Sequence, residues 1–174
     1  AAVIGIGVMV RLAWLGLGLR GLAQLRVTAA PLAPGGRAVT EAQELVGVTA
    51  DLRATPDVKA PVTFGVRRPV VLLPHEFATF DPNHQRAIVC HELLHVRRRD
   101  WRATVLEELL RSLTWFHPAI WILIDQIQLA REQVVDEQVV ALMRTRDLYL
   151  DALLRLAAPA PQPILQPASL FLRK

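Results

Sequence analysis

The sequence predicts a mainly helical α+β domain with a small pair of strands, attached to the end of a membrane helix. Three observations predict it. An apolar N-terminal run gives way to basic residues. Two short apolar runs bounded by Pro and Gly lie in mid-chain. Long stretches without Gly or Pro, carrying apolar residues at helical spacing, fill most of the rest.

The N-terminal run comes first. Ala1 to Val10 is uncharged and apolar, Arg11 interrupts, and Leu12 to Leu19 is apolar again. A full span takes about 20 apolar residues. Residues 1–28 therefore read as the exit end of a transmembrane helix that begins upstream, followed by a basic juxtamembrane segment. Ala1 in place of Met fits a piece cut from a longer chain. Arg11 is placed to snorkel and Trp14 to anchor at the interface. A buried or amphipathic surface helix is the alternative, since shorter apolar runs fit it too. No small-residue cleavage site follows, which disfavours a secretory signal. Arg11, Arg20, Arg26 and Arg37 all precede the first acid, Glu41. By the positive-inside tendency the following domain faces the cytoplasm.

Residues 29–158 form the expected main domain. Pro31 to Gly36 reads as a linker. Thr40-Glu41-Ala42-Gln43 is a capping box that opens a helix running to about Arg53. Strands are predicted near Val62–Gly65 and Val70–Leu73. Asp81 at an N-cap and Pro82 at the first helical position open the next helix, which ends in the cations Arg97-Arg98-Arg99. Trp101 to Trp115 reads as a long helix with Glu107, Glu108 and Arg111 on one face. Pro118 restarts an apolar stretch, Ala119 to Ile124, too short to span a bilayer and so either core or partly inserted. It leads into a helix carrying Glu132. A last helix, about Arg146 to Ala157, precedes Pro159, Pro161, Pro163 and Pro167. Residues 159–174 read as a Pro-rich linker. No internal repeat is apparent.

The chemistry lies in His91-Glu92-Leu93-Leu94-His95. Residues four apart share a helical face, so His91 and His95 can aim two imidazoles at one metal ion. Glu92 then stands beside them as a general base for water. Two histidines on the apolar face of a core helix are the bland alternative. Catalytic zinc typically takes three protein ligands. Glu132 and Asp136, also four apart, supply a candidate third ligand and a carboxylate to hold a histidine ring N–H. On spacing alone, a solvated acidic face with Arg131 and Glu137 explains that pair equally well.

Several stretches together resemble the membrane-embedded gluzincin peptidases of the BlaR/MecR antirepressor type. Pro61-Val62-Thr63-Phe64-Gly65 with Pro69 to Pro74 resembles the strand pair before their zinc helix. His91 to His95 followed by Arg98-Arg99-Asp100 resembles the zinc helix and its trailing basic-acidic pair. Trp115-Phe116-His117-Pro118 and Arg131-Glu132 to Asp136 resemble their helix break and third-ligand helix. The likeness runs from about Gly35 to about Ala157. It implies a gluzincin-like metallopeptidase domain attached to transmembrane helices in a bacterial-type inner (cell) membrane. It also implies one zinc ion held by His91, His95 and Glu132, with Asp136 and Asp100 supporting the ligands. Val135 departs from the cysteine that often precedes the family's aspartate, at a position with no proposed metal role. The family's extracellular sensor has no counterpart in these residues, so antibiotic sensing does not transfer.

The expected activity is zinc-dependent endopeptidase action, with Glu92 as base and His117, at the helix break, as a candidate oxyanion donor. Tyr149, the only tyrosine, is a weaker candidate for that role. The strand near Val62–Gly65 offers an edge for an extended substrate. His75 and His84 have no partner spacing and read as surface residues. The expected substrate is a peptide or protein, either a cytoplasmic regulator such as a transcriptional repressor or the protein itself. A membrane quality-control protease of the HtpX/Ste24 kind and a non-catalytic signalling scaffold with a structural zinc remain open. The scaffold needs a fourth ligand, for which Cys90 is the available candidate.

Composition bounds these readings. The chain has 174 residues, 52% of them hydrophobic, and mean hydropathy +0.30. Both values are high for a soluble domain. The single cysteine, Cys90, implies no oxidising compartment and, next to His91, reads as a buried core thiol. Net charge is +4 and the pI about 10.2. The one basic run, Arg97-Arg98-Arg99, ends the zinc helix and brings no DNA-reading motif. Anionic membrane lipids, not nucleic acid, are the expected partner of that charge.

Overall fold

A computed structural model describes residues 2–32, 36–143, 149–152 and 154. The element order is α1 (Ala2–Thr28), β1 (Ala30–Pro31), α2 (Arg37–Val46), β2 (Asp51–Thr55), β3 (Val62–Phe64), β4 (Val70–Pro74), a 3-10 turn (His75–Thr79), α3 (Pro82–Arg98), α4 (Asp100–Leu113) and α5 (Pro118–Met143). Tyr149 to Ala152 are helical. The Pro-rich residues 159–174 lie outside the described residues, as does most of the expected last helix.

The sheet has four strands in the order β1-β2-β4-β3, where the sequence predicts two. β2 pairs parallel to β4, and β1 and β3 pair antiparallel to β2 and β4. The expected helix to Arg53 stops at Val46, where Gly47 takes a left-handed conformation and its N–H caps Gln43. The same helix starts at Arg37, so Thr40 lies inside it and caps nothing. Asp51 to Thr55 then joins the sheet because β1 and β4 offer it partners on both sides. Such partners override weak local preference.

β4 is buried along its whole length. Its alternate residues enter two cores. Val71 and Leu73 pack with α2, α3 and α5, through Ala42, Leu93, Val135 and Val139. Val70 and Leu72 pack with Val62, Phe64 and the α1 residues Leu15 and Leu22. Sandwiched this way, α3 is buried without a break from Ala87 to His95.

α3 owes its start to Asp81. The Asp81 carboxylate accepts from Asn83 N (2.7 Å) and His84 N (3.4 Å), and Pro82 follows at the first turn. Its end is less ordinary. Arg99 sits at φ 61° and ψ 35°, the only non-glycine at positive φ among the described residues. Glycine is usual there, and a bulky residue costs about 1–2 kcal/mol.

α1 is one uninterrupted helix of 27 residues. Among the described residues it alone is long and apolar enough to cross a membrane. Arg11 does not break it. Its guanidinium lies 4.8 Å from the Trp121 ring centroid. Gly7 lets Trp115 approach, since a Cβ there would lie 2.4 Å from the indole.

α4 carries its polar face inward. Glu107, Glu108, Arg111 and Ser112 are buried, while Leu106, Leu109, Leu110 and Leu113 are exposed. The charges pair across helices: Arg131 with Glu107, and Arg111 with Asp125 at 3.1 Å. α5 likewise exposes Ile122, Leu123 and Ile127.

Replacing Asp81 by Ala removes the cap of α3. The expected loss is about 1 kcal/mol, read as a lowered thermal midpoint of the purified protein.

Candidate metal centre

Burial of α3 fixes the two histidines. His91 and His95 are 8% and 6% exposed, one turn apart on the same helix. Their Nε2 atoms converge to 3.2 Å, with the rings edge to face. α5 packs on α3 and delivers Glu132. Its Oε2 lies 3.4 Å from His91 Nε2 and its Oε1 3.6 Å from His95 Nε2. A tetrahedral zinc with bonds of about 2.0–2.1 Å sets its donors about 3.3 Å apart. The two imidazoles and the carboxylate therefore stand close to the spacing such an ion needs, each Nε2 facing a different Glu132 oxygen, and the three residues form a group that could hold a metal. Cys90 is not in that group. It is fully buried in the core and burial pushes its thiol up to about 11, against a small opposing effect of Arg86. No protein group among the described residues closes the fourth position.

The far side of each imidazole is held by oxygen. His95 Nδ1 lies 2.8 Å from Asp100 Oδ2. Asp100 also meets Arg98 Nε at 3.2 Å and Arg131 Nε at 4.0 Å. Burial pushes the Asp100 carboxyl up, but the His95 contact and the two arginines outweigh it, leaving it below the ordinary range. His91 Nδ1 lies 2.7 Å from the Tyr149 hydroxyl and 3.3 Å from Asp136 Oδ1. Tyr149 donates in turn to Asp136. Burial raises the Asp136 carboxyl, while His91 and Tyr149 lower it further, for a net shift down. Tyr149 stays a phenol, held up by burial and by the Asp136 carboxylate. With the proton on Nδ1 of each ring, both Nε2 lone pairs are left facing Glu132.

Glu92 is 2% exposed, beside the histidines, and Thr63 Oγ1 of β3 donates to its Oε2 at 2.7 Å. Thr63 was not singled out in the sequence. Strand alternation carries the signal, because Val62 and Phe64 enter one core and Thr63 must face the other side, toward α3.

Three histidine and tyrosine readings change. His117 sits exposed in the turn before α5, its N–H bonded to Thr114 O. The helical rise from Pro118 to Glu132 separates it from the cluster by about 21 Å, so the structure does not bring it to the site. Tyr149 stands behind His91, not beside the open position expected of an oxyanion donor. His84 is buried, not on the surface, and paired with Asp81 and with Asp151 at 2.9 Å. His75 is exposed.

A family model described as the BlaR1 peptidase M56 matches residues 2–170. The chain belongs to the M56 peptidase family. The Regulatory protein BlaR1 of Bacillus licheniformis is 32% identical over 99 residues, 57% of this chain. The match covers 16% of that relative's length, so the chain corresponds to a small part of it. M56 membership and the apolar α1 fit association with a membrane.

Tyr149→Phe removes the hydroxyl behind His91. We expect zinc affinity to fall about tenfold or more, measured by chelator competition, with helical content retained.

Proposed function

We propose that this chain is the catalytic unit of a membrane-associated zinc endopeptidase with a gluzincin-like fold. One observation carries the reading. Two buried Nε2 atoms and a carboxylate converge at tetrahedral spacing, with the Glu92 carboxylate beside them. His91, His95 and Glu132 would hold the ion, and bound zinc supplies an activated water and a polarised peptide carbonyl.

The chain's own residues do the rest. Glu92 takes the proton of the attacking water and passes it to the leaving amine. Thr63 anchors that carboxylate by one oxygen, so its orientation does not depend on substrate. Asp100 and the Tyr149–Asp136 pair keep both imidazoles in the ligating tautomer. β3 lies at the edge of the sheet, next to α3, which suits an extended peptide added as a further strand. The lack of a fourth protein ligand among the described residues favours catalysis over a closed structural zinc.

The proposed division is a membrane helix with its basic exit over residues 1–28, a peptidase domain over 29–158 and a linker beyond. Arg20 and Arg26 near the C-terminal end of α1 favour a cytoplasmic catalytic domain, with anionic lipids near those arginines. The substrate is then a cytoplasmic regulator, such as a transcriptional repressor, or the protein itself. No direct contact with nucleic acid is proposed.

The test uses purified, zinc-loaded protein and a panel of quenched fluorescent peptides. Glu92→Gln should lower kcat/KM at least 10²–10⁴-fold while zinc content stays near one per chain. His95→Ala and Glu132→Ala should lose the metal. Full proteolysis by Glu92→Gln would refute the mechanism.

A further inference from the structure

A cleft of about 90 Å³ opens beside the metal cluster, where the end of α3 meets the start of α4 and the β3–β4 turn. That is room for several waters. His95 and Thr63 reach it from the site, Gly65 and Pro69 from the turn, and Arg99 and Arg102 from the helix junction. Trp101 adds an apolar wall, braced edge to face against Phe64 at 6.1 Å.

The arginines of the α3–α4 junction, with Arg131 of α5, fall into two groups. Arg97 bonds Gln138, Arg98 bonds Asp100, and Arg131 bonds Glu107 and Thr104. The side chains of Arg99 and Arg102 meet no acidic group or hydrogen-bond acceptor among the described residues. The backbone gives no reason for an arginine at 99. Its φ of 61° favours glycine, and its side chain caps neither helix. A residue kept against its own backbone preference points to a task for its side chain. Arg102 stands three residues on, so both guanidiniums lie at one helix junction.

We propose that Arg99 and Arg102 form a substrate subsite that selects a carboxylate side chain close to the scissile bond. This rests on the peptidase reading above. Planar guanidinium forks hold a carboxylate through paired hydrogen bonds. Glu92 of α3 and Asp100 at the start of α4 are already engaged by Thr63 and by His95, so they do not neutralise the pair. Thr63 ties the cleft to the edge strand, so a peptide laid along β3 would drop a side chain into it.

The experiment uses peptides identical except for Glu, Gln or Lys at each position from three before to three after the cleaved bond. Binding is read by fluorescence anisotropy in the Glu92→Gln protein, and cleavage in wild type. At one position Glu should be favoured over Gln by about tenfold or more. An Arg99→Gly, Arg102→Gln double variant should bring that ratio close to one. Glycine suits the left-handed backbone, so this variant should fold, which its thermal midpoint checks. Equal binding of Glu and Gln peptides at every position overturns the subsite. If cleavage persists then, the peptidase reading still stands. Glu-selective binding without any cleavage by wild type leaves a carboxylate-binding cleft but defeats the peptidase reading, and with it a subsite beside a scissile bond. A double variant that loses only its binding to phosphatidylglycerol vesicles, with peptide preference intact, assigns the arginines to the lipid surface and overturns the proposal.

Discussion

The packing of α5 across α3 is the contact on which the site depends. His91 and His95 are brought together by one turn of one helix. Glu132 lies 37 positions after His95 and arrives only because Val135 and Val139 fill the core beside Leu93 and Leu94. Two apolar residues on one face of α5 thus set the position of a carboxylate on the same helix. The buried pair of Arg131 and Glu107 ties α5 to α4 one residue before Glu132. Through Asp100, the same arginine reaches the support of His95. Breaking such a buried ion pair on one side costs about 3–5 kcal/mol, so the scaffold and the site share their weakest point.

The helices farther from the sheet follow a different rule. α4 hides Glu107, Glu108 and Arg111 and shows leucine, and the first half of α5 shows isoleucine and leucine. In water that arrangement would be penalised twice, by stranded apolar surface and by buried ions. Beside an apolar α1 it is consistent with a low-dielectric surrounding, where polar groups turn inward and pair. The Arg11–Trp121–Arg111 stack fits that logic. The basic residues Arg97, Arg98, Arg99 and Arg102 lie at the opposite end of α4, near the sheet.

Much of the site was legible because its spacings are short. His91 to His95 and Glu132 to Asp136 are helical intervals, and Asp81-Pro82 announces the helix that carries the first pair. The contacts that failed to show are the long ones. Nothing in sequence links Arg131 to Glu107 or Tyr149 to His91, since no periodicity spans two helices. Asp51 to Thr55 lacks the β-branched run that marks a strand and gains its identity from neighbours. The polar residues of α4 were readable as a face, but which way that face turns depends on the solvent outside. His117 shows the reverse error. It is close in chain order to α3 and α5, yet the rise of α5 from Pro118 to Glu132 separates it from the cluster.

Cys90 has a consequence of a different kind. Its thiol touches only core, and with its ionisation pushed up to about 11, only about one molecule in ten thousand carries a thiolate at neutral pH. Alkylating reagents and peroxides meet neither access nor a nucleophile while α3 is in place. The residue before His91 therefore acts as a silent clock. Its rate of modification counts how often α3 leaves its seat, with no other cysteine in the chain to confuse the count.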